Sequence, residues 1–264
     1  MKISAVIPAA GSGARMGLDI KKPYLKIGSP PYPPMQKTTH AFGLAQKALP
    51  LNAVKGTDDF VLPQGGKAPI LAHTIEVFEK SFLVDDIFVV VSDEDRELCK
   101  NEVIHPYNFH KVADVLAGGE TRQASVFNGL QRTSDDTDII IVHDGVRPFV
   151  TEEIIEASVE SALQWDVAIV AVPVKDTIKV ADKDNFVQST LDRSQLWAIQ
   201  TPQVFRREIL MKAHLYAQEH NIDATDDAAL VEQLGYRVKL VMGSYRNIKI
   251  TTPEDLVIAE ALMA

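Results

Sequence analysis

The strongest constraint on the fold is a repeated alternation: short apolar runs separated by stretches with helical periodicity. ISAVI (3–7), IFVVVS (87–92), VADVLA (112–117), DIIIVHD (138–144) and VAIVAVPV (167–174) read as strands. Between them PILAHTIEVFEKS (69–81), DEDRELCKNEV (93–103), RQASVFNGLQRT (122–133) and TEEIIEASVESALQW (151–165) read as helices. Pro69 suits a first turn, and Thr151 followed by two acids suits a capped start. Buried strands joined by helices predict an α/β protein, with a mostly parallel twisted sheet and helices on both faces. Helices at 206–219 and after Thr225, a strand over YRVKLVMG (236–243) and a terminal helix from Thr252-Pro253 complete the pattern.

Two segments break the alternation. Residues 29–66 hold prolines at 30, 31, 33 and 34 and end in a double glycine, which reads as an insertion in a short connection. Residues 173–192 read as two short strands around a polar DKDN turn, a hairpin that projects from the core. An exposed hairpin invites edge pairing, so a symmetric homodimer through an arm at about 173–195 is expected. With 264 residues, 46% of them apolar, the chain suits one domain carrying both additions.

Composition excludes several function classes. A net charge of −9 argues against a broad electrostatic grip on nucleic acid. Cys99 is the single cysteine, so no internal disulfide or thiolate metal cluster can form. The seven histidines show no H-E-x-x-H spacing. No signal-peptide pattern and no apolar run long enough to cross a bilayer are seen, and the expected location is the cytoplasm.

In a parallel sheet, ligands sit beyond the carboxyl ends of the strands. That rule selects AAGSGAR (9–15), GGETR (118–122), HDGVRP (143–148) and PVKDT (173–177); three of these loops carry an arginine and two are glycine-rich, a composition that suits an anion-binding rim. The first loop fits neither familiar nucleotide fingerprint. It lacks the G-x-x-x-x-G-K-[ST] spacing, and Gly11, Gly13 and Gly17 miss G-x-G-x-x-G by one residue. An NAD-dependent oxidoreductase would also need an acid about 20 residues on, where the proline-rich segment lies instead. Glycines let backbone N–H groups approach phosphate oxygens, and Arg15 and Lys22 supply charge just beyond the turn. The combination suits a triphosphate attacked at its α-phosphorus, with magnesium bridging phosphate oxygens.

PAAGSGARM, KKPYL, AGGETRQASV, VHDGVRP, VPVKDT, LDRSQLWAIQTPQVF, ATDDAALVE and NIKITTPEDL occur in this order. Together they closely resemble the 2-C-methyl-D-erythritol 4-phosphate cytidylyltransferase family of the non-mevalonate isoprenoid pathway. The resemblance implies a Rossmann-like nucleotidyltransferase fold, CTP and a polyol phosphate as substrates, and Mg²⁺ held mainly by CTP phosphates near Asp144. It places the triphosphate on Ala9, Ala10, Gly11, Ser12 and Gly13, and the catalytic pair on Arg15 and Lys22. Cytosine recognition falls on Gly119, Glu120 and Ser125, and the ribose and metal neighbourhood on Asp144 and Gly145. Substrate contacts, shared across a dimer with interlocked arms, fall on Arg147, Thr177, Arg193, Thr201, Thr225 and Lys249. The chain departs from the family pattern at Lys21-Lys22-Pro23, where proline usually precedes the loop lysine and glutamine follows it. It also departs at Glu120, often aspartate, at Val146, usually alanine, and in the 29–66 insertion. A polyol phosphate such as ribitol 5-phosphate is the nearest alternative substrate.

Overall fold

The computed structural model describes residues 1–11, 21–28 and 68–263. The expected insertion at 29–66 lies outside the described residues, as do Ser12, Gly13 and Arg15. In chain order the elements are β1 (Ile3–Pro8), β2 (Lys26–Ile27), β3 (Ala68–Pro69), α1 (Ile70–Lys80), β4 (Asp86–Val91), α2 (Arg96–Cys99), β5 (Val112–Ala117), α3 (Arg122–Leu130) and β6 (Ile139–Val142). They continue with α4 (Glu152–Trp165), β7 (Val167–Pro173), β8 (Lys179–Ala181), β9 (Val187–Thr190), β10 (Trp197–Arg206), α5 (Arg207–His220), α6 (Asp227–Gln233), β11 (Lys239–Met242) and α7 (Pro253–Met263).

Seven strands form one sheet in the order β11-β7-β10-β6-β1-β4-β5. β1 pairs parallel with β4 and β6, β4 with β5, and β7 with β11. Among the described strands of this sheet, β10 alone runs antiparallel, against both β6 and β7. Strand order reverses beside β1, and that switch point opens a crevice at the carboxyl ends of β1 and β6.

Alternation of side chains sorts the core into two layers. Ile3, Ala5 and Ile7 of β1 face the layer of Leu71, Ile75, Phe78, Ile155 and Val159 from α1 and α4. Val6 faces the other way, onto Val126, Leu130, Leu210 and Val231 from α3, α5 and α6. The period of two along the strands therefore meets helices on both sides. A smaller cluster of Ile27, Ile70, Val146, Ile250 and Leu256 seats α7.

Three sequence expectations change. The long strand β10 was not anticipated, because Gln200, Thr201, Pro202 and Gln203 interrupt its apolar pattern. The strand accommodates its proline at a register shift between Ile199 and Gln203. The single helix expected over 93–103 is a 3-10 turn at Asp93–Asp95, then α2, then a π turn at Lys100–Ile104. Thr151 occupies the cap position of α4, but its side chain makes no cap hydrogen bond; its carbonyl accepts from Ile154 and Ile155.

The projecting hairpin is present. β8 and β9 form a separate two-stranded sheet around a turn in which Asn185 takes a φ of 65°. Phe186 and Val187, on this arm, are exposed at 72% and 62%. At the base of the proline-rich segment, β2 pairs antiparallel with β3, and Ile70 N–H donates to the Leu25 carbonyl at 2.9 Å.

Helix α3 lies close against the sheet because Gly129 has no side chain. A Cβ there would stand 2.5 Å from Val6 Cγ1 and 3.1 Å from Val90 Cγ2. Gly129→Val is expected to destabilise the fold by about 2–3 kcal/mol through overpacking. Urea unfolding checks this, and an unchanged midpoint would refute the close packing.

Candidate active site

The crevice holds two adjoining cavities. The first, of about 550 Å³, is lined by Pro8 to Gly11 after β1, by Gly119 to Arg122 after β5, and by Lys22, Ser125, Asp144 and Lys249. The second, of about 260 Å³, is lined by Arg147, Gln200, Thr201, Gln203, Thr225 and Asp226. Arg122, Asp144 and Lys249 line both.

Asp144 is the centre of the site. It follows the all-apolar strand β6 and is buried, yet three cations surround it. Arg122 Nε donates to its Oδ1 at 3.2 Å, while Arg147 Nε and Lys249 Nζ approach Oδ2 at 3.3 and 3.0 Å. Burial alone would raise the carboxyl's pKa, but Arg122, Lys249 and Arg147 together hold it well below the usual carboxylate range. Arg122 reaches a second buried carboxylate as well, Asp227, at 2.7 Å. Three positive side chains against two carboxylates leave this ion-paired cluster with net positive charge, an arrangement suited to phosphate.

Thr201 and His143 fix the Asp144 backbone. The Asp144 N–H donates to Thr201 Oγ1 at 3.0 Å, so the Thr201 hydroxyl is free to donate to His143 Nδ1 at 3.1 Å. His143 Nε2–H then donates to the Arg147 carbonyl at 3.1 Å. Both ring nitrogens are used by a neutral imidazole, and burial pushes its pKa down to about 4. His143 is a structural strut packed on Phe78, with ring centroids 5.0 Å apart. Asn247 braces the opposite wall: its carbonyl accepts from Arg147 Nη1 and its Nδ2 donates to the Thr201 carbonyl, both at 2.9 Å.

Around the first cavity, the Thr121 hydroxyl caps α3 by accepting from the Ala124 N–H at 3.0 Å. Ser125 Oγ accepts from the Gly119 N–H at 3.1 Å and donates to the Thr121 carbonyl at 2.9 Å. The GGET turn is thereby folded onto its own helix, and Glu120 stands exposed at the rim. A Cβ on Gly119 would lie 2.5 Å from Ala124 Cβ, so this turn requires glycine.

The two lysines of the KKPYL segment diverge. Lys21 Nζ donates to Ser92 Oγ at 3.0 Å and to Asp95 Oδ2 at 2.8 Å, and also pairs with Glu94. Lys22, first residue of a 3-10 turn at Lys22–Tyr24, is buried and lines the first cavity. The family resemblance placed the catalytic role on Lys22, with Lys21 as a neighbour that could share it; here Lys21 is committed to the acidic turn after β4.

The structure brings together Ala9, Ala10, Gly11, Lys22, Gly119, Glu120, Ser125, Asp144 and Lys249 in the first cavity. Arg147, Thr201 and Thr225 join Asp144 and Lys249 in the second. Gly145 sits behind the rim, donating its N–H to the Pro8 carbonyl at 3.1 Å. Thr177 and Arg193 lie on the exposed arm and line neither cavity. Among the anticipated residues Arg122 and Asp227 are missing, though both stand inside the quoted motifs. The arginine ending GGETR was visible as a rim cation, but nothing in sequence pairs it with a carboxylate 105 positions away. Gln203 is also new: its Nε2 donates to Asp226 Oδ2 at 2.7 Å and its Oε1 accepts from the Ala228 N–H at 3.3 Å, which docks α6 on β10.

A histidine buried neutral makes stability depend on pH. In the unfolded chain His143 takes a proton near its ordinary value of 6.5, whereas in the fold it resists until about 4. Its contribution is therefore complete above about pH 6.5 and is lost as pH falls toward about 4, at up to about 1.4 kcal/mol per pH unit. His73, also shifted down by burial from its ordinary 6.5, acts in the same direction. Urea unfolding between pH 7.5 and 4.5 should show a shallower decline for His143→Asn than for the wild type; equal slopes would contradict the neutral assignment.

Comparison with known proteins agrees with this geometry. The 2-C-methyl-D-erythritol 4-phosphate cytidylyltransferase (IspD) family model matches residues 62–264. The 2-C-methyl-D-erythritol 4-phosphate cytidylyltransferase of Caldanaerobacter subterraneus subsp. tengcongensis is 43% identical over 263 residues, covering 100% of this chain and 99% of its own. That of Geobacter metallireducens is 43% identical over 266 residues, covering 100% and 98%. The crystal structure of 4-diphosphocytidyl-2C-methyl-D-erythritol synthase from Anaerococcus prevotii superimposes with a TM-score of 0.75 at 28% identity, covering 99% of this chain and 96% of that one. On sequence, fold and site together, the chain belongs to the 2-C-methyl-D-erythritol 4-phosphate cytidylyltransferase family.

Proposed function

We propose that the protein transfers CMP from CTP to 2-C-methyl-D-erythritol 4-phosphate and releases pyrophosphate, a step of the non-mevalonate route to isoprenoid precursors. The observation that carries this reading is the pair of adjoining cavities with Arg122, Asp144 and Lys249 in their shared wall. One is large enough for a nucleotide and rimmed by glycine turns. The other is smaller, lined by Arg147 and hydroxyl groups, and suits a phosphorylated polyol.

In this mechanism a phosphate oxygen of the polyol substrate attacks the α-phosphorus of CTP in line. The new P–O bond forms as the bond to the bridging oxygen breaks, and pyrophosphate departs with its electron pair. Lys22 and Arg15 steady the charge on the phosphoryl oxygens, while Ala9 to Gly13 hold the triphosphate through backbone N–H groups. Gly119, Glu120 and Ser125 read the cytosine; Asp144 and Gly145 border the ribose. Arg147, Thr201, Thr225 and Lys249 orient the polyol phosphate. The nucleophile is already an anion, so no enzyme nucleophile is required, and Cys99 is poorly suited to be one: it is buried, and burial pushes its thiol up to about 12.

Among the described residues no cluster of three or more His, Cys, Asp or Glu side chains can hold a metal. The carboxylates among the described residues of the first cavity are Glu120 and Asp144, and Asp144 is already engaged by Arg122, Arg147 and Lys249, so the residues present fit a Mg²⁺ that triphosphate oxygens, rather than protein carboxylates, would chiefly hold. When bound, the ion would neutralise phosphate charge. No described helix is long and apolar enough to cross a membrane, and a cytoplasmic location is part of this reading.

Purified protein with CTP and Mg²⁺ should release pyrophosphate with 2-C-methyl-D-erythritol 4-phosphate in preference to ribitol 5-phosphate; the reverse preference would overturn the substrate assignment. The oxidoreductase alternative is not favoured by the family match. Lys22→Met is expected to lower turnover by about 100-fold or more, with a much smaller loss for Lys21→Met. Equal losses would refute the assignment of Lys22.

The arm completes the proposal. Its exposed Phe186 and Val187, with Ile178, Val180 and Leu191, suit burial against a second copy. Such a homodimer would carry Thr177 and Arg193 to the second cavity of the partner. Sedimentation should show a dimer that Phe186→Asp weakens; a monomeric wild type would exclude the arrangement.

A further inference from the structure

Arg122 stands where the two cavities meet, and its guanidinium is divided between two buried carboxylates. Nε lies 3.2 Å from Asp144 Oδ1, and Nη1 lies 2.7 Å from Asp227 Oδ2. Asp227 is 1% exposed and sits in the first turn of α6, beside Asp226 and Thr225 of the second cavity. Its other oxygen accepts from His214 Nε2 at 3.0 Å, and the His214 ring stacks on Phe127 at 5.6 Å. Gln123 secures the same region: its Oε1 accepts from the Ala224 N–H and its Nε2 donates to the Ile222 carbonyl, both at 3.1 Å. Asp227 is thus held from behind and has one oxygen directed at Arg122.

Charge decides what that oxygen does. Asp144 alone would face Arg122, Arg147 and Lys249, three cations on one carboxylate. With no charge at residue 227, Arg122 would turn wholly onto Asp144 and compete there with the other two. With Asp227 ionised, Arg122 is shared between the two carboxylates at the junction of the cavities.

We propose that Asp227 is a positioning residue for the transfer reaction: acting through Arg122, it sets how strongly that cation serves the anionic substrate of the second cavity. The inference rests on the cavity assignment given above. It concerns affinity for the polyol phosphate more than affinity for CTP, because Asp227 lies on the side of Thr225 and Asp226.

The test is a double-mutant cycle measured by pyrophosphate release. Asp227→Asn is expected to raise KM for 2-C-methyl-D-erythritol 4-phosphate by about tenfold, with KM for CTP changed by less than about threefold. In an Arg122→Gln background the same substitution should change neither value by more than about twofold. Asp227→Glu, which restores the charge, should return KM for the polyol phosphate to within about threefold of the wild type. If Asp227→Asn does not fold, as judged by thermal denaturation, the smaller and equally uncharged Asp227→Ser in the two backgrounds carries the cycle. Any shift that it causes should then vanish with Arg122→Gln. Additive effects, or an effect confined to stability, overturn the inference; absence of turnover in the wild type overturns the cavity assignment instead, and this inference with it.

Discussion

One buried carboxylate, Asp144, organises the site. Placing a charge at the end of an apolar strand is costly unless opposite charge surrounds it. Here the surrounding groups come from three separate parts of the chain: Arg122 opens α3, Arg147 follows β6, and Lys249 lies in the segment before α7. The requirement to pair Asp144 thereby holds the first cavity against the second.

The sheet was largely legible in the sequence because its inner strands β1, β4, β6 and β7 are buried on both faces. Runs such as Ile139 to Val142 need no alternating polar residue, so apolar continuity marks them. β10 escaped for the opposite reason. Gln200, Thr201 and Gln203 bind neighbours around the site rather than filling the core, and a strand whose polar residues serve such contacts loses its periodic signature. The helix over 93–103 kept its position but not its regularity, since Ser92 and Asp95 bond to each other and to Lys21 at its start.

Site residues were legible to the extent that chemistry is local. Glycine turns, Asp144 and the cations near them stand at strand ends, where the parallel-sheet rule directs attention. What could not be read was pairing at a distance. Lys21 and Lys22 are equivalent in composition, and only the fold shows that one meets the acidic turn and the other the cavity. Arg122 and Asp227 are equally ordinary as letters, and only the packing of α3 against α5, which in turn contacts α6, makes them partners.

The short antiparallel pairing of Lys26–Ile27 with Ala68–Pro69 has a consequence for how this chain tolerates change. Entry and exit of the proline-rich stretch are stitched together by backbone bonds, and Ile27 and Ile70 pack in one cluster beneath them. Extra length there adds only slowly to the cost of closing the loop. That junction is a splice point: sequence between it can lengthen or shorten while the register of every major strand stays where it is.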